Sequence, residues 1–89
     1  MARFEAHSRD VIECAAQAGM PDALCELGLM YCSGRDVQLD MIEAHKWFNL
    51  AALRGNADAV RLRREIAEQM SEVEIASAQR AARAWLKAN

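Results

Sequence analysis

The three cysteines and two histidines are the residues of this 89-residue chain that could bind a metal or act as nucleophiles. Cys25 and Cys32 are seven residues apart, so on a helix they share one face but lie roughly 10 Å apart along its axis. That is too far for two thiolates that would each lie about 2.3 Å from one zinc ion. His7 and His45 stand alone and form no short metal-binding motif. We therefore expect free thiols and no metal site. A regulator that responds to a ligand or metal through its cysteines is one alternative hypothesis for the function.

Enzymatic chemistry is not expected from the remaining polar residues. The carboxylates alternate with lysines and arginines or stand at helix starts, and the chain contains no Ser-His-Asp order, glycine-rich phosphate loop or nucleophile elbow. We therefore predict no catalytic residue and no cofactor. The net charge of -2 and the 6% aromatic content also speak against nucleic-acid binding.

The cellular location follows from two further features of the sequence. No run of about 18 apolar residues is present, so we expect no membrane span. The N-terminal sequence MARFEAHSRD is charged from its third residue and lacks the apolar segment of a signal peptide. The expected location is the cytoplasm, where cysteines stay reduced.

The elements that carry these residues are predicted to be helices throughout. The chain is rich in alanine and has one proline, a composition that favours helices. Start and stop signals divide it into five antiparallel helices joined by short turns, except for a longer loop from Gly34 to Leu39. They are residues 3–18 closed by Gly19, a helix from Pro21 to about Cys32, a helix after Asp40 closed by Gly55, a helix from Asn56 to about Met70, and one from the Ser71–Glu74 capping box to about Lys87. The fold class is therefore all-α.

An internal repeat organises these helices. Residues 15–23, AAQAGMPDA, align with residues 51–59, AALRGNADA, at an offset of 36 residues. The apolar positions Val11 and Ile12 recur more loosely as Trp47 and Phe48 at the same offset. A helix–turn–helix period of this length is typical of an α-solenoid.

The repeat unit resembles the Sel-one-like repeat family, which is related to tetratricopeptide repeats. The positions that carry the resemblance are Ala23, Leu27, Gly28, Tyr31, Gly34, Val37, Asp40, Ala44, Trp47, Phe48, Ala51, Ala52 and Gly55. Two positions depart from the pattern. Asp36 stands where a second loop glycine is usual, and Gln38 where proline is common. Asp tolerates the left-handed backbone region better than most residues, so we expect the loop to be kept.

The resemblance implies a fold and a class of function. It implies a short α-solenoid in which helix pairs stack with a right-handed superhelical twist, without catalytic residues, in scaffold or adaptor roles. We expect one domain over residues 1–89. It contains a partial repeat (3–19), a full repeat (20–55), a degenerate half repeat (56–70) and a C-terminal cap helix (71–88). Met1 and this cap lead us to expect a stand-alone chain and not a fragment of a longer array.

Candidate partner-binding residues follow from the same resemblance. Partners of such solenoids bind the concave surface, which the first helix of each pair lines. Its non-signature positions here are Cys25, Glu26, Leu29, Cys32, Arg61, Glu65 and Glu68. We single out Leu29 as a hot-spot candidate, against the alternative of an ordinary exposed leucine.

The leading prediction is an interaction module that binds one protein partner as an adaptor or accessory subunit. The first alternative is self-association as a homodimer or assembly scaffold. It rests on the N-terminal helix, whose first-helix partner is missing from the sequence. Its apolar residues Phe4, Val11 and Ile12 are therefore expected to be only half covered.

Overall fold

A computed structural model describes residues 9–89, and this part of the chain is all-helical. Its five helices are α1 (Arg9–Gln17), α2 (Pro21–Ser33), α3 (Met41–Leu53), α4 (Ala57–Ala67) and α5 (Glu72–Ala88). The predicted fold class, number of helices and approximate boundaries are confirmed over this range. The earlier part of the predicted first helix, together with Phe4 and His7, lies outside the described residues. No helix among residues 9–89 combines the length and the apolar character that a bilayer crossing requires.

Side-chain caps start three of the helices where the sequence predicts them. Asp40 and Asn56 each accept a hydrogen bond from the backbone N–H three residues later, at 3.1 and 2.9 Å. Ser71 and Glu74 form a complete capping box, with reciprocal bonds of 3.1 and 2.9 Å. Pro21 occupies the first turn of α2, where its missing N–H costs no hydrogen bond. Each side-chain cap stabilises its helix by about 1 kcal/mol.

The loop between α2 and α3 keeps the geometry expected of it despite the substituted glycine. Asp36 has a φ of 63°, so it occupies the left-handed region that the sequence predicted for it. Gly34 ends α2 with a φ of 75°. The loop is anchored at its far end, where the Asp40 N–H donates to the Tyr31 carbonyl at 3.0 Å. The loop thus places Asp40 at the start of α3.

Helix α3 is the centre of the packing. It contacts α2, α4 and α5, while α1 packs against α2, and α2 also touches α4. Its residues Phe48 and Leu50 are fully buried, and burying a side chain of this size stabilises the fold by about 1.5–3 kcal/mol. Because the turns between consecutive helices are short, neighbours along the chain run antiparallel.

A glycine in the middle of α2 sets how closely α2 approaches α3. A Cβ placed on Gly28 would lie 2.5 Å from both Cδ1 and Cε1 of Phe48. Phe48 has no exposed surface, so its ring occupies the space that a side chain at position 28 would need. The close packing that the sequence predicted for Gly28 is confirmed.

Helix α4 ends three residues before the predicted boundary at Met70. The N–H groups of Gln69 and Met70 donate to carbonyls three residues earlier, at 2.9 and 3.1 Å. This tighter bonding ends the α-helix at Ala67 and turns the chain toward the extended backbone of Ser71. The capping requirement of α5 therefore shortens α4.

Candidate functional site

The predicted repeat residues divide between the core and the turns. Leu27, Gly28, Ala44, Trp47, Phe48 and Ala51 are buried, Ala23, Tyr31, Val37 and Ala52 are half-buried, and Gly34, Asp40 and Gly55 are exposed turn positions. The large side chains at these positions are packing residues. A partner would therefore contact other residues of the chain.

The face formed by α2 and α4 holds most of the predicted partner contacts, but two of them are not free for a partner. Cys25 is only 6% exposed, which corrects its assignment to the surface. Leu29 is half-buried and packs against the core cluster, so the fold itself uses it. The Cys32 side chain is also half-buried, and its thiol donates to the Leu29 carbonyl at 3.5 Å.

Electrostatics keep the Cys25 thiol protonated. Burial first, and then the nearby carboxylates Asp58, Glu26 and Asp22, raise its pKa to about 11, while Arg61 opposes them. The thiolate is the reactive form of cysteine, so Cys25 is a packing residue with little nucleophilic or metal-binding capacity. Burial likewise raises the pKa of the Cys32 thiol.

Most charged candidates on this face form ion pairs within the chain, and all but the half-buried Glu26 are exposed. Glu26 forms an ion pair with Arg35. Arg61 lies 3.2 Å from Glu65 and 3.9 Å from Asp58. Glu68 is exposed as well. Exposed pairs of this kind contribute only about 0–1 kcal/mol, and they make the face a mixed-charge surface.

An apolar groove runs along α1 on the side that α2 does not cover. It is an open depression of about 540 Å³ lined by Val11, Cys14, Ala15, Ala18 and Met20, with Asp10 at one end. Cys14 and Ala18 are exposed, and Met20 is 55% exposed. We call these five apolar residues the α1 groove. It is left open by the helices of residues 9–89.

The residues that line the α1 groove differ in part from those predicted for the open face of the N-terminal helix. Ile12 was expected on the half-covered face, yet it is 4% exposed and belongs to the core, because it points toward α2. Val11 does line the open side, whereas Phe4 lies outside the described residues. Sequence reasoning missed Cys14, Ala18 and Met20, although the 36-residue offset could have drawn attention to the first two.

The counterparts of the α1 groove on α3 are covered by α5. The 36-residue offset pairs Val11 with Trp47, Cys14 with Leu50, and Ala18 with Arg54. The rings of Trp47 and Trp85 meet edge to face with centroids 6.1 Å apart. The Arg54 guanidinium lies 5.9 Å from the Trp85 ring centroid, and Leu50, between these two positions, is fully buried. The same helix face is therefore occupied on α3 and open on α1.

A second, polar cavity of about 570 Å³ lies where α1, the α2–α3 loop and the start of α3 meet. Its acidic groups are already engaged. Asp40 caps α3, and Glu43 accepts from Trp47 Nε1 at 3.1 Å and pairs with Lys46 at 3.0 Å. Burial, with a smaller effect from Glu43, raises the pKa of Tyr31, which lines the cavity. These interactions join α3 to the loop and leave the carboxylates little capacity for a ligand.

The cysteines and histidines stay apart in the described part of the chain. Residues 9–89 contain no group of three or more His, Cys, Asp or Glu side chains arranged to hold a metal ion. Cys14, Cys25 and Cys32 are free thiols. His45 is 3% exposed and its Nδ1 has no hydrogen-bond partner in the fold. Burial, together with the charge of Arg63, lowers the pKa of His45.

Comparison with known proteins identifies no relative of this chain. No protein-family model matches the chain, and no curated protein or solved structure matches it either.

Proposed function

We propose that this protein is a non-catalytic interaction module that docks a partner protein in the α1 groove. The observation that carries the proposal is the difference between two equivalent helix faces. On α3 the face with Trp47 and Leu50 is covered by α5, whereas on α1 the face with Cys14 and Ala18 is open to solvent. Apolar depressions on small soluble domains commonly mark interaction sites.

The order of helix contacts supports a solenoid architecture for this module. Consecutive helices pack on each other from α1 to α4, and two pairs of alternate helices also meet, α2 with α4 and α3 with α5. Stacked helix pairs bring corresponding helices of successive pairs together in this way, although α1 and α3 make no comparable contact. Together with the 36-residue repeat, this favours a short member of the Sel-one-like class. In a solenoid, an end without its neighbouring pair exposes an apolar face.

The proposal is tested by placing a photoreactive amino acid at position 14 in the full chain, in the cells that express it. A matched control carries the same residue at Gln17, which is also exposed on α1 but does not line the groove. We expect a discrete cross-linked protein from position 14 that is absent from position 17. Equal cross-linking at both positions, or none at either, would refute docking in the groove.

Self-association is the second candidate, and the same groove favours it. Two copies could bury their α1 grooves against each other across a two-fold axis. Light scattering at high concentration separates the candidates. A dimer that Cys14→Glu converts to a monomer supports self-association, while a monomer in both proteins favours a different partner.

A further inference from the structure

The packing of α5 on α3 shows which kind of element fits the α1 groove. On α5 the contact residues are the fully buried Ala78 and Ala82, with Trp85 one turn further on. These positions are spaced four and three residues apart, which is one stripe of an α-helix. The element that covers this face on α3 is thus a helix presenting small residues and one aromatic ring.

The sizes of the residues differ between the two faces. On α3 the positions that face α5 carry the buried Trp47 and Leu50 and the exposed Arg54, whose guanidinium lies 5.9 Å from the Trp85 ring centroid. On α1 the equivalent positions carry Val11, Cys14 and Ala18, which are smaller. Interfaces pack at nearly the density of protein interiors, so the groove needs larger side chains on its occupant than α5 presents to α3.

The charge at the groove is acidic. Among its lining residues Asp10 alone is charged, and it is exposed. Arg9, the neighbouring cation, is 3.7 Å from Glu13, which is one turn away on the same helix. Among residues 9–89 no cation pairs with Asp10, so a basic residue on the occupant would meet a carboxylate at one end of the groove.

From these three observations we infer that the occupant of the α1 groove is an amphipathic helix of another protein. It presents bulky apolar side chains at i, i+4 and i+7 and carries a lysine or arginine that meets Asp10. This inference rests on the proposed function and specifies its partner. The helix lies on α1 as α5 lies on α3, with its large residues filling the space above Cys14 and Ala18.

The test uses fluorescent peptides that correspond to residues 71–89 of this chain, which contain α5 and its capping box. One peptide carries Ala82→Leu, which adds bulk to the contact stripe. The control peptide carries Gln79→Leu, which places the same leucine side chain on the exposed side of α5. Peptide binding to the full chain is followed by fluorescence anisotropy. Ala82 is buried against the large side chains of α3, which leave no room for a leucine at that position. We therefore do not expect the Ala82→Leu peptide to displace the chain's own α5.

We expect the Ala82→Leu peptide to bind more tightly than the Gln79→Leu peptide. The protein variant Cys14→Glu places a charge in the groove and should weaken this binding about tenfold or more, because the carboxylate would be buried without a partner. Its matched control, Gln17→Glu, adds the same charge outside the groove and should leave binding unchanged. Asp10→Lys should also weaken binding, with a loss that diminishes as salt is added.

Three results overturn the inference. Equal affinity for the two peptides, or equal binding to the Cys14→Glu and Gln17→Glu proteins, would show that the groove does not select a bulky helix. If such a result is accompanied by specific cross-linking from position 14, the proposed function stands and only the helical partner is refuted. A homodimer that Cys14→Glu dissociates would assign the groove to a second copy and would likewise overturn the inference.

Discussion

Replacing Gly28 with alanine is expected to destabilise the protein, although alanine is the better helix former. In an exposed helix interior this replacement gains about 1 kcal/mol. Here the new Cβ would lie 2.5 Å from two ring carbons of Phe48 and 3.0 Å from a third. The ring has no exposed surface, so it can move only by displacing other core residues. Overpacking of this kind costs about 1–3 kcal/mol.

The structure decides which of these opposing effects prevails. The contact involves several atoms of a rigid, buried ring and not the end of a flexible side chain, so we assign a cost near the upper end of that range. The expected net loss in the free energy of unfolding is about 1–2 kcal/mol after the helix-propensity gain is subtracted. For a domain of this size, that lowers the Tm by roughly 5–15 °C.

Urea unfolding followed by circular dichroism at 222 nm measures this loss for Gly28→Ala. A double-mutant cycle with Phe48→Leu supplies the control, because leucine lacks Cε1 and the outer ring and its two methyl groups can turn away from position 28. The penalty of Gly28→Ala should shrink strongly in the Phe48→Leu background. If Gly28→Ala alone raised the urea midpoint, or if its penalty were the same in both backgrounds, the close approach of α2 to the Phe48 ring would not be the reason for the glycine.

Three further predictions concern the thiols, the buried histidine and the contact between α3 and α5. Cys14 should react with a maleimide well before Cys25 at neutral pH, since Cys14 is exposed while burial and nearby carboxylates raise the pKa of Cys25 to about 11; peptide mass spectrometry gives the order, and equal rates would contradict the buried position. Burial lowers the folded-state pKa of His45 from its ordinary value of 6.5, so the unfolded state binds the proton more readily. The stability that comes from keeping this histidine neutral is complete above pH 6.5 and is lost as the pH falls from there through the lowered folded-state value. His45→Gln should therefore show a smaller drop in urea midpoint than the parent between pH 7.5 and pH 5, and an equal drop would refute this. Trp85→Ala should cost about 2–4 kcal/mol because it removes a half-buried ring from the α3–α5 contact, whereas Leu86→Ala at the neighbouring exposed position should cost under about 1 kcal/mol.

The two surfaces considered for partner binding differ in what they offer a partner. The α2–α4 face presents Arg61, Glu65 and Glu68, and Arg61 is already paired within the chain. The α1 groove presents uncovered apolar area with one acidic residue at its end. Apolar contacts in the centre of an interface contribute most of the affinity, and exposed charge pairs contribute little. The groove is therefore the surface on which we place the primary contact.

Local signals in the sequence determined the helices of the described chain. Asp40, Asn56 and Ser71 cap the helices that they were expected to cap, and Asp36 adopts the left-handed conformation assigned to it. Such features depend on backbone groups within a few residues, so they can be inferred without knowing the fold. The end of α4 was misplaced because two adjacent signals, the end of one helix and the cap of the next, compete for the same residues.

Only the tertiary structure decided which residues remain available to a partner. Leu29 and Cys25 have the spacing of surface positions on α2, but α2 is contacted by α1, α3 and α4, and these neighbours cover them to different degrees. Cys14 and Ala18 have the composition of core positions, yet they are exposed. The exposure of a helix face depends on which other helices pack against it, and those helices are distant in the sequence. The 36-residue repeat shows which faces of α1 and α3 are equivalent, and α5 packs on the α3 face while the helices of residues 9–89 leave the α1 face open.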